Sequence, residues 1–480
     1  MSLKSLTNFK NMPLEAKASV AYAVCSILQN CIAFIALPIF ARILTTEQYG
    51  DYTLYTTWAA IFVIFITLNL PYGSFSTAMV KYEDQRNEYI ASAEGVCLVC
   101  ASIFLLIYSS FSRLWKGNLD FPIAVIIIMT LEKLGNAGIL FWSGKKRFEF
   151  KYKEVIVVTL LESFLAPVLA LVLVLNFDEK GYAMIMGYAS VTIVIGGYIF
   201  IYNLIKGKKI FVKEFWQYAL GFNLPLIFYY LSQVIFNQSD RIMIKHYESK
   251  SEAAIYGVAY SLAIVLIFVI NAINNSYVPW LYGKIKEKKQ KENQSIACML
   301  SILIAFLLSG VIWLAPEIIR VMAGKKYMSA IWVVPPVAMS VLLLFYSQFF
   351  INIEFYFERK KDLVFASVAS AVINIVLNAI FIPEFGFVVA GYTTLFSYIV
   401  FVIANYIAMK KVLKEENLEN NIYNYKLLVL IFIVFFVLSM LAAILYKYLL
   451  IRYAIIAVVL VALIIKRKVV IKYINIIRNM

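Results

Sequence analysis

Charge is what this sequence has least of. Only 15% of its 480 residues are Asp, Glu, Lys or Arg, and 62% are hydrophobic, whereas soluble domains carry nearer a quarter charged. The deficit is concentrated. Residues 18–41, 52–80, 181–205, 215–239, 253–283, 293–316, 327–353 and 385–409 contain no charged residue of these four types. Each run is long enough to cross a bilayer as a helix, which takes ~20 residues. This excludes a soluble protein, and it excludes a barrel, whose strands alternate at every residue and are about half as long. Histidine is scarcer still: His246 stands alone, without catalytic companions, and reads as an interface residue. The five cysteines (Cys25, Cys31, Cys97, Cys100 and Cys298) fall within apolar runs. Cys97 and Cys100 form a CxxC with no second pair and no histidine beside it, so they read as small apolar helix residues rather than metal ligands. No phosphate-binding glycine loop of the Walker type is present, which argues against direct nucleotide drive. No cofactor, metal or catalytic residue is expected.

What is present is a succession of apolar runs. We expect an all-α integral membrane protein with fourteen spans, near 18–43, 52–80, 89–111, 120–143, 154–176, 181–205, 216–244, 253–283, 293–315, 328–357, 363–383, 386–409, 427–446 and 449–465. The first 16 residues are polar, with Lys4 and Lys10. The first apolar run is too long for a signal peptide and reads as a retained span. Basic residues test the count. With a cytoplasmic N-terminus the even loops should be rich in Lys and Arg. They are: GKKRFEFKYK (144–153), KGKKIFVK (206–213), KIKEKKQK (284–291), ERKK (358–361), KK (410–411) and KRK (466–468). The odd loops TTEQYGD, NFDEKG and PEFG carry a single Lys among them. The net charge of +16 therefore reads as topology and as attraction to anionic inner-leaflet lipid, not as a nucleic-acid surface. Both termini are expected in the cytoplasm.

A phrase recurs. Arg42-Ile43 and Arg241-Ile242 each close an odd span. Tyr49-Gly50 and Tyr256-Gly257 each open the next, and Pro71 and Pro279 follow late in those spans. An offset of six spans gives two copies of the same orientation, a parallel repeat about an axis along the membrane normal. The expected organisation is an N-lobe of helices 1–6 (residues 1–213), a C-lobe of helices 7–12 (214–412), and helices 13–14 with a basic tail (413–480). Two related lobes suit a transporter that rocks about a central site.

The segments LPIFARILTTEQYGDY (37–52), LNLPYGSFSTAMVKY (68–82), FNLPLIFYYLSQVIFNQSDRIMI (222–244), AAIYGVAYSLAIV (253–265), YVPWLY (277–282), LAPEIIRVMAGKKY (314–327) and IPEFGFVVAGYTTL (382–395) resemble the Wzx-like flippases of O-antigen and capsular polysaccharide repeat units. These belong to the multidrug/oligosaccharidyl-lipid/polysaccharide exporter superfamily. The resemblance covers spans 1–12. It implies a MATE-like, V-shaped, two-lobed fold in the bacterial inner membrane. It also implies alternating access and transfer of a polyprenyl-pyrophosphate-linked oligosaccharide from the inner to the outer leaflet. The other implied partners are membrane lipids and a polysaccharide polymerase complex, with the chain itself a monomer. Many members have twelve spans; an extra pair like 13–14 also occurs in the lipid II flippases, where it helps form a lipid-facing groove.

A sugar-bearing pyrophosphate cannot cross hydrocarbon unaided, because desolvating it costs several kcal/mol or more. A cavity for it needs cations, and arginine suits phosphate through its bidentate fork. Arg42 and Arg241 are the best-placed candidates on spans 1 and 7. Both could instead snorkel to the headgroup layer, and Asp240 could neutralise Arg241. Asn30, Asn237, Asn274 and Asn275 are candidate sugar contacts, with Gln238 and Asn271 near them; interhelical bonding is the alternative. Glu132, Lys133, Glu162 and Asp240 are intramembrane charges for coupling or structure. Lys133 could meet Glu162, while adjacent Glu132 and Lys133 need not pair with each other. Glu354, one turn from Glu358, reads as an interface acid. Two further functions compete: a cation-coupled drug exporter of the same fold, disfavoured by spans 1 and 2 containing no acid, and a membrane polymerase or glycosyltransferase, disfavoured by the short odd loops.

Overall fold

A computed structural model describes residues 13–111, 121–287, 289, 291–357, 360–416, 418 and 421–467. Lys4, Lys10, Glu358 and the tail from Lys468 onward lie outside the described residues. Every regular element among those described is helical. The α-helices are α1 (Leu14–Ile43), α2 (Thr46–Thr67), α3 (Phe75–Lys81), α4 (Arg86–Ser110), α5 (Ile123–Phe148), α6 (Tyr152–Asn176), α7 (Lys180–Gly207), α8 (Lys213–Asn223), α9 (Ile227–Tyr247), α10 (Lys250–Lys286), α11 (Glu292–Trp313), α12 (Ala315–Met322), α13 (Val334–Tyr356), α14 (Lys360–Phe385), α15 (Val388–Glu415), α16 (Tyr425–Leu445) and α17 (Leu449–Ile465). Twelve helical segments among the described residues are long and apolar enough to cross a membrane. The other two expected spans fall on α2, whose first turns are polar, and on α17, which has 17 residues.

The repeated phrase resolves into helix caps. Thr45 accepts from the backbone N–H of Gln48 at 3.2 Å, and the Gln48 side chain accepts from the Thr45 N–H at 3.0 Å. This capping box satisfies two N–H groups that a helix start leaves orphaned. Ser249 does the same for α10, accepting from Ser251 and Glu252. The two copies are not equivalent in detail. Arg42 sits in the last turn of α1, but α9 continues past Arg241 to Tyr247, because no turn residue follows Ile242 as Thr45 follows Ile43. The span expected at 52–80 is also interrupted. α2 stops at Thr67, Leu68 and Asn69 adopt left-handed backbone (φ 50° and 54°), and a turn through Pro71 and Gly73 leads into the short α3. The Thr67 hydroxyl caps the Asn69 N–H at 3.2 Å. Pro279, its proposed counterpart, lies inside a continuous α10.

The chain divides into two compact units, Met1–Gln238 and Ser239–Met480, with the boundary inside α9. In the first unit α7 packs against α2, α4, α5 and α6. Small residues make the approach possible. A Cβ on Gly187 would lie 2.2 Å from Ala170 Cα, and one on Gly196 would lie 2.4 Å from the Gly135 carbonyl oxygen. Both obstacles are backbone, so neither can rotate away. Gly187→Val should force α6 and α7 apart at a cost of about 1–3 kcal/mol. The expected result is a thermal midpoint lowered by several degrees in detergent; an unchanged midpoint would show that the contact is looser than described.

In the second unit α13 is the central helix, buried along most of its length and packed by α10, α11, α15 and α16. Tyr277 donates to Asn293 at 2.7 Å, Asn293 donates to the Ile422 carbonyl at 3.2 Å, and Tyr423 donates to the Phe349 carbonyl at 2.8 Å. These bonds fix the segment just before α16, so α16 starts from a set position against α11.

Candidate functional site

The first unit contains a cavity of about 240 Å³, lined by both polar and apolar side chains, between α2, the turn that follows it, and α5. Irregular backbone at membrane depth is tolerated where it lines such a cavity, and Thr67, Asn69, Pro71 and Tyr72 do so. From α5 come Lys133, Asn136, Ala137 and Leu140, a stripe at i, i+3, i+4 and i+7, with Glu132 beside it. From α2 come Tyr52, Tyr55 and Thr56. Lys133 Nζ donates to Glu132 Oε1 at 2.7 Å, and Tyr55 donates to Glu132 Oε2 at 2.5 Å. Both charged side chains are more than four-fifths covered. The carboxylate is thereby held on both oxygens. An ammonium carries three donors, and among the described residues Lys133 uses one of them, on Glu132. The arrangement presents one lysine paired with a carboxylate, three tyrosines and two amides, groups that can donate to phosphate and sugar oxygens.

Lys133 thus pairs with its neighbour Glu132 and not with Glu162, contrary to the reading from sequence. Glu162 instead accepts from Thr192 at 2.8 Å, tying α6 to α7. Adjacent helix residues point about 100° apart, but a lysine stem is long enough to fold back. A further carboxylate, inside the span expected at 89–111, is fully buried. Glu94 on α4 accepts from Asn203 of α7 at 2.7 Å, and Asn203 also donates to the Gly138 carbonyl.

The second unit holds a buried polar knot centred on Asp240, which is 2% exposed. Its Oδ1 accepts from Asn378 at 2.7 Å; its Oδ2 accepts from Thr394 at 2.7 Å and from the Tyr256 hydroxyl. Asn374 donates to Thr394 and accepts from Ser239, both at 3.1 Å. Four helices (α9, α10, α14 and α15) meet there. Arg241 is buried, with its guanidinium carbon 4.6 Å from the centre of the Tyr260 ring, a cation–π contact. Asp240 is therefore satisfied by three neutral donors. Among the described residues no group of three His, Cys, Asp or Glu converges as a metal site.

The sequence profile of the polysaccharide biosynthesis protein family matches residues 16–283. The chain belongs to this family. The MatE profile matches residues 225–380. Among curated proteins, one of the Lsg locus of Haemophilus influenzae is 23% identical over 388 residues, covering 75% of this chain and 89% of that protein. Among solved structures, an inward-facing MATE family multidrug resistance transporter of the MOP superfamily superposes with a TM-score of 0.64 at 11% identity, over 83% of this chain and 99% of that one. The lipid II flippase MurJ in an inward closed conformation gives 0.61 at 14% identity, over 90% and 100%. The fold is therefore that of the MATE transporters and MurJ.

In this family member the other candidate residues are scattered. Arg42 is exposed at the end of α1. Asn30 and Asn237 each donate back to the carbonyl four residues earlier, at 2.8 and 2.7 Å. Asn274 accepts from Asn352 at 2.9 Å, which joins α10 to α13, and Asn275 is exposed. Glu354, read as an interface acid, is fully buried near the C-terminal end of α13, which is enclosed on several sides. Asn69, Asn136, Tyr52 and Tyr55 carry the cavity without having stood out in the sequence. The signals were there: Asn136 lies at i+3 from Lys133, and the cluster LNLPYG holds three turn-forming residues in six.

Proposed function

We propose that this polysaccharide biosynthesis protein is a flippase. It carries polyprenyl-pyrophosphate-linked oligosaccharide repeat units from the inner to the outer leaflet by alternating access, for surface glycan of the O-antigen or capsule kind. The observation that carries the reading is Lys133, a cation inside a tyrosine- and amide-lined cavity, in a chain of this family. In the proposal Lys133 meets phosphate, while Asn69, Asn136 and the tyrosines meet sugar. Arg42 and Arg241 are proposed as further phosphate contacts, and Asn30, Asn237, Asn274 and Asn275 as further sugar contacts. The isoprenoid chain stays in the hydrocarbon. An apolar groove of about 560 Å³ between α11, α16 and α17 supports a lipid-facing role for the last two helices. Fourteen crossings, both termini in the cytoplasm and a bacterial inner-membrane setting complete the proposal. The lobes of residues 1–213 and 214–412 are its moving parts, the chain acts as a monomer, and a polymerase takes up the product.

A second reading, a cation-coupled exporter, draws on the buried carboxylates Asp240 and Glu94. Deletion of the gene separates the two. Flippase function predicts that lipid-linked repeat units accumulate in the cell and that surface glycan falls at least tenfold, with both restored by the intact chain. Normal glycan together with raised drug sensitivity would favour the exporter.

A further inference from the structure

α17 begins with an unusual combination. Its N-cap residue, Tyr448, makes no capping bond, so the first-turn N–H groups have no side-chain acceptor there. Arg452 lies in that first turn and is 1% exposed. Its Nη2 donates to Glu317 Oε1, which also accepts from Tyr453 at 2.9 Å. Its Nε and Nη1 are buried and, like Glu317 Oε2, have no hydrogen-bond partner among the described residues. The guanidinium carbon is 5.9 Å from the Tyr446 ring centre and 5.5 Å from that of Tyr453. Tyr446 precedes the helix, so the cation lies back over the helix start, the end that favours anions. A buried cation with two unmet donors is costly, and a second anionic partner would offset that cost.

What lies next to it is apolar. Ile455 and Ile456, at i+3 and i+4 from Arg452, line the groove between α11, α16 and α17, and so do Trp313 and Leu314, just before Glu317. Arg452 thus stands one helix turn from groove residues on α17, and Glu317 three residues from Leu314 on the α11–α12 connection. We propose that Arg452, with the first turn of α17, holds the phosphate of a membrane phospholipid whose acyl chain lies along this groove. The site shares no residue with the Lys133 cavity. It depends on membrane embedding and not on what the protein transports.

The test uses the purified full chain in detergent, with phosphatidylglycerol, diacylglycerol or inorganic phosphate as probes and native mass spectrometry as the readout. Phosphatidylglycerol should be retained at least tenfold better than diacylglycerol, and Arg452→Met should erase that preference. Arg452→Lys should keep part of it. Glu317→Gln removes the competing carboxylate and should keep or strengthen retention, which also covers the case of Arg452→Met failing to fold. Equal retention by wild type and Arg452→Met would overturn the proposal. So would loss of retention in Glu317→Gln, which would mark Arg452 and Glu317 as a structural clamp alone. Inorganic phosphate competing at the same concentration as the lipid would identify a free-anion site and overturn the lipid assignment.

Discussion

Lys133→Met should reduce surface glycan in a complemented deletion strain by at least tenfold. Two effects combine. The variant removes the cavity cation, and a hydrogen bond to a charged group contributes about 1.5–3 kcal/mol, which corresponds to roughly 10- to 150-fold in binding. It also leaves Glu132 with the Tyr55 hydroxyl alone, a negative charge facing an anionic substrate. The second effect can be isolated. Glu132→Gln with Lys133→Met removes the uncompensated carboxylate, and should recover expression and thermal stability but not transport. Lys133→Arg keeps the charge and should retain part of the activity. Recovery of transport in the double variant would mean that Lys133 serves only to neutralise Glu132.

Asp240→Ala should have the largest effect on stability. It leaves Tyr256, Thr394 and Asn378 with buried donors and no common acceptor. Individual bonds between helices in membranes average about 0.6 kcal/mol, so three together come to roughly 2 kcal/mol. The penalty of about 1–3 kcal/mol for each unmet buried donor would raise that total. Asp240→Asn keeps one acceptor oxygen but turns an amide toward groups that donate, so its effect should be intermediate. Thr394→Val removes one donor to Asp240 and the acceptor of the Asn374 amide but turns no donor against the others, and should cost least. Thermal unfolding in one detergent should give the order Ala, Asn, Val from most to least destabilised. If Asp240→Asn matched wild type in stability and transport, the charge of Asp240 would have no role in either.

The fold was legible because hydrocarbon forbids unpaired backbone polar groups, so long charge-free runs admit one local structure. The site was legible only in part. Glu132, Lys133 and Asp240 stand out because a charge within an apolar run needs a reason. Their partners do not, since Tyr55 and Thr394 reach them only through helix packing. Asn69 was hidden inside an apparently unbroken span; its left-handed backbone (φ 54°) comes from a turn that hydropathy does not register. Glu94 lies more than two turns inside α4, and its partner Asn203 reaches it only through the packing of α7. The parallel repeat was visible as matched landmarks. Its copies diverge where one helix breaks before Pro71 and the other runs through Pro279.

Reconstitution tests the central claim most directly. The purified chain is placed in liposomes with a polyprenyl-pyrophosphate oligosaccharide carrying a fluorophore on its sugar, and a membrane-impermeant quencher is added outside. If the chain moves the headgroup across, quenching should pass well beyond the outer-leaflet half, and Lys133→Met liposomes should stop near that half. Quenching that ends at the outer leaflet with wild-type protein, matching protein-free liposomes, would contradict the account.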